Sequence, residues 1–238
     1  MESFSSLKAL LKNPKDYFFY KENPFKGNSS TTLGTAVHHL IQGQPELVRV
    51  NEINRTTKVG REEYAIWEAE FKEKTHNEGV IITKSQKEAL DKCMDSFKNN
   101  IQAVNILEGC DFEQPLIMNV SGITIKGKLD CFSVSDKKIV EIKTSSALTT
   151  AKDFSEGGKD MCYDMQAWMY QEMVRQSTGV ICDHYFIVVN TTAPFAVKVY
   201  KSSQEFLDGG KKKFDKVLTS YKKYVINKES IPDPIEEV

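Results

Sequence analysis

Apolar positions recur at helical spacing in the first half of the chain and at strand spacing in the middle. Ala89, Leu90, Cys93, Met94, Phe97, Ile101 and Val104 step by three and four. That rhythm predicts one long amphipathic helix over 83–107, with Thr83 or Ser85 as its cap. Before it, 5–20 reads as helix broken at Asn13-Pro14, 23–32 as loop, 34–41 as helix, and 61–74 as helix. The stretch 43–60 is polar and poorly periodic, an irregular arm. After residue 115 the period drops to two, which predicts a three-strand meander over 116–120, 123–134 and 138–143. A helix over 161–176, strands over 182–190 and 196–201, and a closing helix over 203–226 complete the chain. The acidic, proline-bearing tail 231–238 is expected to fray. The order α-β-β-β-α-β implies an α/β (α+β) fold with a mixed central sheet flanked by helices.

Composition narrows the class only a little. A chain of 238 residues is long enough for one domain with a large core. It divides into an N-terminal helical part (1–82), a core (83–202) and a C-terminal helix and tail (203–238). No apolar run reaches membrane-spanning length and the N-terminus has no signal-peptide pattern, so a cytoplasmic protein is expected. Cys93, Cys110, Cys131, Cys162 and Cys182 are scattered and odd in number. They have neither zinc-ligand spacing nor a disulfide framework. The net charge of −1 advertises no global affinity for polyanions. Lysines do gather at 211–213 and 222–223, where a solvated helix face is the favoured reading and a DNA-contact patch the other.

Chemistry concentrates in the meander. Asp130 ends one strand, and Glu141-Ile142-Lys143 lies on the next, eleven residues on. Residues at i and i+2 of a strand share a face, so Glu141 and Lys143 point together while Val140 and Ile142 turn toward the core. A hairpin through 133–138 brings Asp130 beside Glu141. Two carboxylates and an amine at one sheet edge can hold a hard divalent cation next to a cationic group, a constellation suited to phosphodiester hydrolysis.

These residues resemble the PD-(D/E)XK nuclease superfamily. Gly34-Thr35-Ala36-Val37-His38 is similar to the G-T-x-x-H helix of its RecB-like and RecE-like branches. Tyr163-x-x-Gln166-x-x-x-Tyr170 is similar to their Q-x-x-x-Y helix, and puts three polar side chains on one helix face. Met165, Met169 and Met173 form a second stripe, read as core. Glu113, otherwise a surface charge, matches an extra acid that the superfamily places before the first strand. The opening Ser3-Phe4-Ser5-Ser6-Leu7 and Asn13-Pro14-Lys15-Asp16-Tyr17 is similar to the RecE-like phage and prophage exonucleases, so the resemblance runs from about residue 3 to about 201. One departure is Gln42-Gly43-Gln44-Pro45-Glu46, where those proteins carry an acid followed by proline.

The resemblance implies Mg²⁺, with Mn²⁺ as a substitute, held by His38, Asp130, Glu141 and the Ile142 carbonyl, with Glu113 nearby. It implies that Lys143 orients or deprotonates the attacking water, or steadies the charge building on the phosphate; as a base it would need its pKa lowered, which the cation and burial both favour. Gln166 and Tyr170 would position the carboxylates, the lysine or the phosphate. Without metal the crowded acids should repel or take up a proton. The implied activity is exonucleolytic, on linear double-stranded DNA from its 5′ ends, in phage-type recombination or repair. Implied partners are DNA ends, a single-strand annealing protein and further copies of the chain in a ring, with no membrane. The alternatives are a RecB-like nuclease of other polarity, an endonuclease, or an inactive DNA-binding module. The iron–sulfur members need a C-terminal cysteine cluster, and this chain has no cysteine after Cys182.

Overall fold

The period-two region folds as the centre of a mixed sheet. The computed structural model describes residues 1–23, 28–147 and 150–231. Strands β1 (Glu2–Ser3), β2 (Val48–Val50), β3 (Val80–Ile82), β4 (Asp111–Val120), β5 (Ile123–Ser133), β6 (Lys138–Ser145), β7 (Asp183–Asn190) and β8 (Val197–Lys201) alternate with helices. These are α1 (Phe4–Lys12), α2 (Pro14–Glu22), α3 (Ser29–Ile41), α4 (Lys58–Lys74), α5 (Lys84–Lys98), α6 (Ile101–Leu107), α7 (Ala151–Asp160), α8 (Tyr163–Thr178) and α9 (Gln204–Ser220).

The main sheet runs β1-β5-β6-β7-β8, with β4 on the other edge of β5. β4, β5 and β6 are antiparallel neighbours, whereas β6 and β7 pair in parallel from Lys138–Asp183 to Ser145–Asn190. That parallel step requires a crossover, which α7 and α8 supply. The mixed sheet flanked by helices is the architecture expected from the sequence, with the αβββαβ order at its centre.

Each face of β6 meets a different core. Ile139 joins Leu129, Met165, Met169, Met173 and Phe214 beneath α1, α8 and α9. Val140 and Ile142 join Ala36, Val37, Leu90, Cys93 and Ile187 beneath α3 and α5. Burying an aliphatic side chain of this size contributes about 1.5–3 kcal/mol, so the register that points Val140 and Ile142 one way is strongly held. Glu141 and Lys143 are thereby forced onto the α8 face. The methionine stripe of α8 is core, as read.

Several boundaries differ from the expectation. The long helix over 83–107 is two helices: α5 stops at Lys98, and Asn100 caps α6 by accepting a hydrogen bond from the Ala103 N–H. The Asn100 side-chain amide also donates to the Val197 carbonyl, which ties the break to the sheet. The first strand begins at Asp111, not at 116, so Glu113 lies inside β4 rather than before it. Its positive φ of 54° accompanies a gap in the ladder, which pairs Phe112 with Cys131 and Gln114 with Leu129. The arm at 43–60 contains β2, paired in parallel with β3 as a small separate sheet. Helix α7 was not anticipated. Part of the predicted loop over 23–32 and nearly all of the predicted fraying tail lie outside the described residues. No described helix is long and apolar enough to cross a membrane.

Candidate active site

The cleft forms where β5 and β6 part. Their ladder closes at Cys131–Val140, one step short of Asp130 and Glu141. At that step the Asp130 carboxylate replaces the missing backbone acceptor: its Oδ2 accepts from the Ile142 N–H at 2.8 Å. The hairpin therefore brings Asp130 beside Glu141-Ile142-Lys143, as the spacing predicted.

Helix α8 lies against the same edge and completes a network. Lys143 Nζ donates to Glu141 Oε1 at 2.8 Å and to Gln166 Oε1 at 3.0 Å. The Gln166 amide donates to Glu141 Oε1 at 2.8 Å and approaches the Tyr170 hydroxyl at 3.1 Å. Tyr170 in turn donates to the Lys128 carbonyl at 3.3 Å. Tyr163, one turn before Gln166, places its ring 4.7 Å from the Lys143 ammonium. The three-residue polar stripe read from the sequence thus faces the acid-x-lysine strand.

Helix α3 supplies the opposite wall. It sits so close to β6 that a Cβ on Gly34 would stand 2.8 Å from Thr144 Oγ1, so glycine is the residue this contact accepts. One turn on, His38 faces the cleft with Nδ1 3.6 Å from Asp130 Oδ2. His39 also lines the cleft, but its ring is engaged by Gln44 Oε1 at 3.2 Å and the Glu78 carbonyl at 3.1 Å rather than by Asp130. The departure at Gln42–Glu46 acquires a physical role here. Gln42 donates to Glu113 Oε1 at 2.6 Å, and Lys128 pairs with the other Glu113 oxygen.

Glu113 therefore stands at the rim, held by Gln42 and Lys128, while His38, Asp130, Glu141, Ile142 and Lys143 gather at the floor. The cleft measures about 700 Å³ and is lined at the rim by Gln42, Glu113 and Lys128 and at the floor by His38, Ile142 and Lys143; Asp130 and the buried Glu141 hydrogen-bond to that floor through the Ile142 N–H and the Lys143 ammonium. Sequence reading did not single out Gln42 or Lys128 as site residues. Both carried a usable signal: Gln42 lies one helical turn beyond His38, and Lys128 two strand positions before Asp130.

Electrostatics distinguish the groups. Burial and the neighbouring Asp130 carboxylate push Glu141 up to about 7, against the pull of Lys143. Burial also raises Asp130, opposed by Lys143 and the Ile142 N–H. Burial alone would lower Lys143, but Glu141 and Asp130 outweigh it and hold the ammonium above the ordinary lysine range. Burial acts on Lys143 in the direction the sequence reading expected, and the two carboxylates that face it act more strongly the other way. Burial, then the Lys143 charge, lowers His38 to about 4, so its imidazole is neutral near pH 7 and can offer a lone pair.

These donors fit a hard divalent cation. Among the described residues Glu141 Oε2 is buried with no hydrogen-bond partner, a costly state for a carboxylate oxygen that a cation would relieve. Carboxylate and carbonyl oxygens with one imidazole suit Mg²⁺ or Mn²⁺. Among the described residues no three acidic, histidine or cysteine side chains are drawn together as a ready-made cage.

Comparison with known proteins agrees with the geometry. A family model described as "PDDEXK-like domain of unknown function (DUF3799)" matches residues 3–238. Among curated proteins none matches. A solved structure described as a "Putative exonuclease" from Eubacterium rectale superposes with a TM-score of 0.66 at 15% identity, covering 99% of this chain and 90% of that one. That likeness is one of fold. A "phage related exonuclease" from Haemophilus somnus 129PT aligns over 96% of both chains at 13% identity, with a TM-score of 0.40.

Proposed function

Because the chain belongs to the family of PDDEXK-like domains, we propose that it is a metal-dependent deoxyribonuclease that hydrolyses phosphodiester bonds of linear double-stranded DNA from its ends, in the 5′-to-3′ direction. The observation that carries this reading is the junction of Asp130, Glu141, Lys143 and Gln166, with one buried Glu141 oxygen left for a cation. The exonuclease description of the Eubacterium rectale structure supports it. Phage-type recombination or repair, a cytoplasmic setting, assembly into a ring and an annealing-protein partner complete the reading, and rest on the resemblance of the sequence motifs. The whole of 1–238 is read as one nuclease domain.

His38, Asp130, Glu141 and the Ile142 carbonyl would hold the cation, with Glu113 available from the rim. A bound Mg²⁺ or Mn²⁺ would lower the pKa of water and offset charge on the phosphate. The chain's own residues do the rest. Lys143, kept cationic by its carboxylates, steadies negative charge on the phosphoryl oxygens and orients the attacking water. Gln166 fixes Lys143 and Glu141 relative to each other, and Tyr170 fixes Gln166. His38, being neutral, competes for no proton at neutral pH. Glu141, with its pKa near 7, is the residue whose ionisation a cation would complete.

The test is to incubate the protein with end-labelled linear duplex and with covalently closed circles, with Mg²⁺ and with EDTA. Loss of linear duplex alone, and only with metal, is expected. Cleavage in EDTA would refute the metal mechanism, and nicking of circles at a similar rate would replace the exonuclease with an endonuclease.

A further inference from the structure

The cleft does not end at Lys143. A cavity of about 190 Å³ opens beside it and shares Lys143, Thr144 and Tyr163 with the cleft. A further cavity of about 380 Å³ shares Phe154 with that one and ends at Lys201, Ser202 and Ser203. The latter volume falls within the roughly 300–1,000 Å³ of small-ligand sites. Together they form a groove between α7 and the sheet, leading away from the scissile position.

Aromatic rings mark its length. Tyr163 lies under Lys143, and Phe154 follows with its centroid 6.1 Å from Tyr163. Phe154 stacks on Tyr200 at 5.0 Å and 18°. Phe154 and Tyr200 are only partly buried. The middle of the groove is bordered by Gly157, in the last turn of α7, where a Cβ would meet nothing within 4 Å.

We propose that this groove carries unpaired nucleotides of the strand being processed, their bases against Phe154 and Tyr200. The inference rests on the nuclease reading of the cleft, and it names where the polymer goes. A nucleic acid cut beside Lys143 continues past it by covalent connection, and the groove is the route that opens there. Aromatic faces receive bases only when those are unpaired, because pairing partners and neighbours cover the faces of a duplex. At the outer end stand Lys201, paired with Asp183 at 2.6 Å, Ser202, bonded to His184 at 3.1 Å, and Ser203, which caps α9.

The experiment measures binding in EDTA, where no turnover occurs. Labelled blunt duplex and duplex with a short unpaired overhang are titrated at fixed salt, the overhang carrying 2-aminopurine to report stacking. The parent should bind the overhang duplex about tenfold more tightly than the blunt one, with quenched 2-aminopurine. Gly157→Leu, which adds a good helix former that fills the groove, should keep its melting temperature and its blunt-duplex affinity while losing both the preference and the quenching. Tyr200→Ala, on the edge strand, should lose most of the preference too. No preference in the parent, or an undiminished one in Gly157→Leu and Tyr200→Ala, would overturn the proposal. So would an equal loss of blunt-duplex binding. Should the parent show the preference yet cleave nothing with metal, the nuclease reading fails and the groove stands.

Discussion

Two glutamates in this protein are equally withdrawn from water and behave oppositely. Glu2 and Glu141 are each 4% exposed. Glu2, on the short strand β1, is saturated with donors. It accepts from Ser6 Oγ at 2.7 Å, Tyr17 at 2.9 Å and Tyr221 at 3.2 Å, and Lys21 stands at 3.4 Å. Burial pushes its pKa up, but the hydrogen bonds from Ser6 and Tyr17 and the charge of Lys21 together hold it below the usual range. Glu141 receives Lys143 and Gln166 on one oxygen and nothing on the other, with a second carboxylate alongside. Burial at Glu2 is compensated inside the chain, so that residue fastens β1, α1, α2 and the C-terminal segment. Burial at Glu141 is only half compensated among the described residues, which is consistent with its proposed place as a cation ligand.

The largest effects should separate chemistry from binding. Lys143→Ala should reduce cleavage of linear duplex by about 10³-fold or more, while Mn²⁺ binding followed by calorimetry is largely kept. Asp130→Ala should lose the Mn²⁺ binding itself. If both variants bound Mn²⁺ like the parent, the division between ligand and phosphate-facing lysine would be wrong.

Stability should respond in the opposite sense at the two acids. Glu2→Ala leaves two tyrosine hydroxyls and a lysine without their acceptor. It should cost roughly 3 kcal/mol, or roughly 6–12 °C in a chain of this size. Because the folded pKa of Glu2 is depressed, its contribution is present above the unfolded carboxylate pKa and is lost as pH falls through the folded value. The gap between parent and Glu2→Ala should therefore narrow on acidification. At Glu141 the folded pKa is raised to about 7, so its cost to folding builds up as pH rises from the ordinary carboxylate range to about 7 and is fully present above it. Glu141→Gln should abolish cleavage without lowering the melting temperature at pH 8. A marked loss of stability would place Glu141 in the same class as Glu2.

A smaller effect tests the helix wall. His38→Ala should lower activity by roughly 10–100-fold. His39→Ala, whose ring bonds to Gln44 and the Glu78 carbonyl, should change it by no more than a few-fold. Comparable losses would mean that Gly34 does not set which histidine faces Asp130. The smallest effect should come from Gln42→Ala, which frees one oxygen of Glu113 and leaves its Lys128 pair in place. A change of no more than a few-fold in the Mg²⁺ concentration needed for activity is expected. A loss as large as that of His38→Ala would show Glu113 to be held for the metal by Gln42.

The contrast between the two acids was half legible in the sequence. Glu141 sits in a period-two run whose alternate members, Val140 and Ile142, demand burial, so its direction followed from the pattern. Asp130 followed from the turn between, and Gln166 and Tyr170 from their spacing on one helix. Glu2 did not announce itself, because its partners lie as far away as Tyr221 and its strand is two residues long. Helix α7 was hidden by Gly157-Gly158, which read against a helix. The break between α5 and α6 was masked because Ile101 and Val104 continue the apolar rhythm across it, although both are exposed. Glu113 was placed before the first strand because Asp111 to Pro115 lacks alternation. Only the fold shows that Gln42 and Lys128 reach it.

The most direct measurement is the melting temperature of parent, Glu2→Gln and Glu141→Gln at pH 8, each with and without Mn²⁺. A cation that binds the native cleft stabilises it by about 2.7 kcal/mol at a hundredfold excess over its dissociation constant. The account predicts a rise of that order for the parent and the same rise for Glu2→Gln from a lower starting point. It predicts almost none for Glu141→Gln. An equal rise in Glu141→Gln would contradict it, since the unpartnered oxygen of that residue would then not be where the cation binds.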